Sequence, residues 1–121
     1  MALSASLQIT NSTGGALLVT NVIQINDDST WAAPPTGTVI PSGQSVTIAM
    51  GNSSVFFAPK GCGCNFFFAN ESFQMGNIYL DIPAIGSYTL NGGSGGPPPV
   101  FNFAFGNPGG NSYTAVITLA S

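Results

Sequence analysis

The chain has almost no charge. Its charged side chains are Asp27, Asp28, Glu71, Asp81 and Lys60, with no arginine and no histidine among 121 residues. Soluble domains devote about a quarter of their residues to charge; this one devotes 4%. That shortage excludes several classes of function. One lysine cannot supply the phosphate contacts that dominate nucleic-acid affinity, nor the polybasic patch that draws a protein to anionic lipid. With no histidine and only two cysteines, a four-ligand structural zinc site has no complete donor set, so neither metal nor cofactor is expected. Only carboxylate-pair chemistry remains conceivable. Asp27 and Asp28 are adjacent in a solvated turn, and Glu71 and Asp81 have no evident second carboxylate at glycosidase spacing. A protein without catalytic residues is expected.

Long apolar runs are missing too. None approaches the ~20 residues of a spanning helix. The segment 1–8 has neither a basic n-region nor a continuous apolar h-region, so no signal peptide is recognisable. Nor does any window hold a helical period.

What the chain does have is period-2 alternation broken by turn residues. Leu3, Ala5, Leu7 and Ile9 share one face before Asn11-Ser12-Thr13-Gly14-Gly15. Ala16 to Ile25 forms a longer apolar strand. Val46, Ile48 and Met50 alternate after Pro41-Ser42-Gly43, and Ile78, Leu80 and Ile82 before Pro83. Phe101, Phe103 and Phe105 alternate and are expected in the core, and Tyr113, Ala115, Ile117 and Leu119 close the chain. With 44% hydrophobic residues, 16 glycines and 9 prolines, this pattern predicts an all-β fold. The expectation is one antiparallel β-sandwich or jelly roll of about eight or nine short strands over residues 1–121. The Gly/Pro-rich stretch 91–99 reads as a long loop, since too few residues follow it for a second domain.

Three features could carry contacts. In an extended strand, Cys62 and Cys64 lie ~6.6 Å apart, near the upper limit for a disulfide. They read as two thiols, as cross-links to other copies, or as a strained internal bridge. The runs Val55-Phe56-Phe57 and Phe66-Phe67-Phe68 are sharper, because consecutive strand residues face opposite sides. Phe67 must point away from Phe66 and Phe68, and such rings are buried on both faces, held in a subunit interface, or in contact with lipid. Trp31, before Ala32-Ala33-Pro34-Pro35, reads as a loop residue that covers the core end, stacks on a sugar or enters a lipid interface. Sequons at Asn11, Asn52 and Asn70 occur at about the chance rate.

Several segments resemble the aegerolysins, small β-sandwich proteins that recognise membrane lipids. Gly37-Thr38-Val39-Ile40-Pro41-Ser42-Gly43 is similar to the family's central turn, Asp81-Ile82-Pro83-Ala84-Ile85-Gly86-Ser87 to its Asp-Cys-Pro-Trp-Gly stretch, and Val116-Ile117-Thr118-Leu119 to its closing strand. Ile82 and Ala84 stand where the family has Cys and Trp, so the resemblance implies the sandwich and does not carry the lipid site over. In composition the chain also resembles jelly-roll subunits of extracellular fibres such as bacterial spore appendages. The expected function is therefore a structural subunit, extracellular or on the cell surface. Its copies would assemble with one another into a filament or shell through neutral β-edges and aromatic patches, because unprotected edges pair readily. The alternative is a lipid- or carbohydrate-binding module, with no nucleic-acid partner in either case.

Overall fold

The computed structural model describes residues 2–26, 30–53 and 61–120, and these form ten strands. They are β1 (Ala2–Asn11), β2 (Leu17–Gln24), β3 (Thr30–Ala32), β4 (Val39–Ile40), β5 (Ser45–Ser53), β6 (Cys62–Asn70), β7 (Met75–Ile82), β8 (Thr89–Ser94), β9 (Phe101–Gly109) and β10 (Ser112–Leu119). Two five-stranded sheets result, in the orders β3-β5-β1-β10-β9 and β4-β2-β6-β7-β8. The all-β sandwich follows from the alternation. The extra strands are short ones, β3 and β4, in the proline-rich stretch between Thr30 and Ile40. One pairing is parallel: β1 lies beside β10, with Leu7 opposite Tyr113 and Ile9 opposite Ala115. No hairpin joins these strands, so no tight turn forces them antiparallel.

The inward faces interleave into one core. Leu7, Ile9, Ile48, Ala115 and Ile117 of the first sheet meet Leu17, Val19, Phe66, Phe68, Ile78 and Leu80 of the second, all fully buried. Phe68 sits at its centre, edge-on to Phe101 with ring centres 5.0 Å apart and to Phe103 at 6.2 Å. Two glycines make room for these rings. A side chain at Gly76, opposite Phe68 in register, would put its Cβ 2.6 Å from the Phe68 ring; one at Gly92 would lie 2.5 Å from Phe103. Aromatic rings laid over strand glycines recover packing that glycine forfeits.

That packing corrects the reading of 91–99 as a loop. Asn91–Ser94 continue β8 beside β7, because a strand passing under Phe103 needs a glycine there. Only residues 95–100 turn. Ser94 Oγ closes the turn by accepting from the amides of Val100 and Phe101, each at 2.8 Å. A second correction concerns how far the core extends. Phe105 and Leu119 keep the apolar alternation but are 38% and 50% exposed: Phe105 lies on edge strand β9, beside the buried Ala115 of β10, and Leu119 ends β10 beyond its last pair with β1.

Asn11 ties the sheets together. It is 0% exposed. Its side-chain amide donates to the carbonyls of Gly15 at 2.8 Å and Ile40 at 2.7 Å, while its Oδ1 accepts from the Thr13 amide and hydroxyl. Ile40 belongs to the other sheet, so this side chain joins the corner where the chain leaves the first sheet to the one where it returns. Replacing Asn11 by Ala orphans those buried groups and is expected to cost about 2–3 kcal/mol. The loss would appear as a lower urea midpoint at unchanged slope.

Candidate functional site

The candidate site is the end of the sandwich where β6 turns into β7. Asn70 builds that turn. Its Oδ1 accepts from the Ser72 amide at 3.0 Å and the Gln74 amide at 2.9 Å, its Nδ2 donates to Gln74 Oε1, and its carbonyl accepts from the Phe73 amide. Phe73 is thereby held at φ 61° and is 89% exposed. A bulky residue at positive φ is a rare, strained conformation. Here a hydrogen-bonded turn holds it and presents a bare aromatic ring to solvent.

The ring does not stand alone. On the outer face of the second sheet, Val39, Leu18, Ala69 and Met75 fall in register across β4, β2, β6 and β7. Val39 is 58% exposed and Met75 54%. Leu18, Val39, Ala69 and Phe73 line a groove of about 480 Å³. On the other side of the turn, Gln74, Pro97, Pro98, Pro99 and Leu119 line a second hollow of about 590 Å³. The one charge at this end among the described residues is Glu71, whose Oε1 accepts from the Ala16 amide at 3.3 Å. The site is a hydrophobic crest between two shallow apolar hollows. It offers burial and shape, with Glu71 as its one charged side chain among the described residues.

The residues singled out from the sequence are dispersed. Phe66 and Phe68 point into the core. Phe67 points outward, half-buried between Asn21 and Asn77 in register, and extends the apolar row toward the middle of the sheet. Phe56 and Phe57 lie outside the described residues, as do Asp27, Asp28 and Lys60. Trp31 is on edge strand β3 opposite Met50, half-buried against the core, and so is not a loop residue. Its side chain alternates inward between the exposed Thr30 and Ala32. Cys62 and Cys64 share the inward face of β6, both 0% exposed and neither in a disulfide. The cross-link expectation is thereby corrected: thiols inside the core cannot reach a second chain. The sequence reading missed Phe73 altogether. Its signal was an aromatic residue inside a polar turn, Asn70-Glu71-Ser72-Phe73-Gln74, where no core can receive it.

At the opposite end, Tyr113 is buried, its ring edge-on to Tyr88 with centres 4.8 Å apart and its hydroxyl 3.5 Å from Asn111 Oδ1. Burial pushes its phenol above the ordinary 10.0, and the neighbouring Tyr88 and Cys62 push the same way. This end presents Tyr88 and Ile85, which are 44% and 85% exposed, on the β7–β8 connection.

No protein-family model and no curated protein matches the chain. Solved structures do. IP-1A from Alcaligenes faecalis superposes at TM-score 0.68 and 15% identity, covering 98% of this chain and 91% of that one. RahU protein, solved in complex with a Tris molecule, gives 0.70 and 14%, covering 98% and 96%. The lectin XCL from Xerocomus chrysenteron gives 0.58 and 10%, covering 99% of each chain. The likeness is one of fold. At such identities it supports the β-sandwich that the aegerolysin resemblance implied and carries no site across.

Two predictions follow from the buried groups. In native protein both cysteines should resist an alkylating reagent, reacting only after denaturation; modification of the folded protein would contradict their burial. For Tyr113, the folded state holds the phenol proton more tightly than the unfolded chain does. Its contribution to stability is therefore complete below the ordinary phenol range and is lost as pH rises through that range to the raised folded value. Urea midpoints should fall there in the wild type, and less steeply in Tyr113→Phe.

Proposed function

We propose that this protein is a non-enzymatic binding module that docks by its Phe73 end onto a lipid surface of zwitterionic or uncharged headgroups. The observation that carries the reading is the 89% exposed Phe73, held at positive φ by the Asn70 turn. A folded protein that maintains a bare aromatic ring in a strained turn is using it, because exposed apolar patches mark interfaces. The ring projects from a surface carrying Leu18, Val39 and Met75, so insertion would bury several apolar side chains together. Burying one phenylalanine contributes about 1.5–3 kcal/mol.

The missing charge selects the headgroup. Lys60 is the only cation in the chain, so attraction to anionic lipid has no source. Glu71 beside the crest disfavours an anionic surface further. Such a role suits the extracellular or cell-surface setting expected from the sequence. Assembly of copies is a second reading, favoured by the long uncharged edge strand β9.

Sedimentation with phosphatidylcholine vesicles tests the proposal. Wild-type protein should co-sediment, and Phe73→Ser should bind at least about tenfold more weakly, the loss of most of one buried ring, with unchanged circular dichroism. Vesicles rich in phosphatidylglycerol should bind no better. Equal binding by Phe73→Ser would remove the crest from the contact. Failure to bind vesicles, with retention on a glycan array, would favour the carbohydrate alternative.

A further inference from the structure

The two sheets have four edges. β3 and β4 are three and two residues long, and β8 has six. β9, from Phe101 to Gly109, is nine residues long and holds no charged side chain, with its single proline at 108 near the far end. Sheet edges in proteins that stay apart are blunted by lysine, by inward charge, by short length or by cover. Among the described residues, β9 has none of these devices along Phe101–Asn107.

The hydrogen-bond phase of β9 fixes which groups face outward. The Ala120 amide donates to the Val100 carbonyl at 2.9 Å, in the same register that sets Thr118 opposite Asn102 and Val116 opposite Ala104. Bonded and non-bonded pairs alternate along an antiparallel ladder. Asn102 and Ala104 therefore spend their backbone groups on β10, while those of Phe103 and Phe105 point away from the sheet. The Phe101 amide also faces that way but already bonds Ser94 Oγ. The Phe103 and Phe105 rings lie stacked, with centres 5.8 Å apart and planes within 3°. Phe103 covers Gly92, and Phe105 continues the aromatic row beyond the core, 38% exposed.

We infer that β9 is a homodimer edge, pairing antiparallel with β9 of a second copy about a two-fold axis at Ala104. The arrangement is self-complementary. Phe103 of each copy stands opposite Phe105 of the other, and each such pair exchanges both backbone hydrogen bonds. The stacked rings of the two copies come together on the inward face and continue each other's core. No other side chain along the edge brings a charge that would oppose the contact. An isologous edge contact of this kind closes on itself and gives a dimer, not a filament. Because the strands run antiparallel, the two Phe73 ends point in opposite directions. The inference rests on the edge alone and is independent of the lipid reading.

Ala104 supplies the test. Its side chain is exposed on the outer face, so substitution there leaves the core intact. Its backbone bonds β10, so in the dimer it faces its own copy as a non-bonded pair with Cα atoms about 4.5 Å apart, within disulfide range. Analytical ultracentrifugation should give wild-type protein a dimer mass. Ala104→Lys, which sets like charges directly opposite, should raise the dissociation constant at least about tenfold with an unchanged melting temperature measured well below that constant. Ala104→Cys should form a disulfide-linked dimer on oxidation, which the buried Cys62 and Cys64 do not complicate. A wild-type monomer at high concentration would overturn the inference. So would an assembly that Ala104→Lys leaves intact, or an Ala104→Cys protein that does not cross-link.

Discussion

The fold depends on one buried carboxamide. A sandwich holds only if the chain's crossings between sheets are fixed, and here two of those crossings meet at Asn11. Its amide bridges the β1–β2 turn to the carbonyl of Ile40, on the other sheet, and its backbone bonds Gln44 and Gly43 across the return crossing. Most proteins have charged side chains to spare for such corners. This one uses amides instead. Asn52 Nδ2 reaches the Gly61 carbonyl at 2.7 Å where β5 gives way to β6, and Asn70 organises the β6–β7 turn. A neutral amide donates and accepts at once and has a smaller desolvation cost than an ion, so it can be buried at a corner without a counter-charge.

Alternation made the sandwich legible where strands are covered along their length. Leu7, Ile9, Ile78 and Leu80 could be assigned inward because every second residue is apolar and every inward position is buried. It failed at the margins of the sheet. Phe105 and Leu119 belong to inward rows by period, and only the place of β9 at the edge of its sheet and of Leu119 at the end of β10 decides that they meet solvent. The glycines of β8 failed for a related reason. Asn91-Gly92-Gly93-Ser94 has the composition of a loop, and what makes it a strand is Phe103, a residue on the other sheet that lies over Gly92. Neither fact is local, so neither can be read from a window of sequence.

The crest was illegible for the opposite reason. Phe73 lies in a turn, has no periodic neighbours and contributes nothing to the core, so patterning passes over it. Asn70 four residues before Gln74 identifies a turn. That the turn throws its aromatic residue outward depends on Phe73 taking positive φ, which sequence preferences count as improbable for phenylalanine. By contrast the Phe66-Phe67-Phe68 run, prominent in the sequence, resolves into two core rings and one outward ring flanked by amides.

The buried amides also bear on how the protein can be made. Asn11, Asn52 and Asn70 each stand in a sequence that oligosaccharyltransferase accepts in eukaryotic secretory compartments. Asn11 and Asn52 are closed off once the chain folds. A glycan could reach Asn11 only on the nascent chain, and it would then occupy the space between the two crossings and keep the sheets from closing. Secretion from yeast or mammalian cells would thus set glycosylation against folding, a conflict absent from a bacterial host that lacks the transferase.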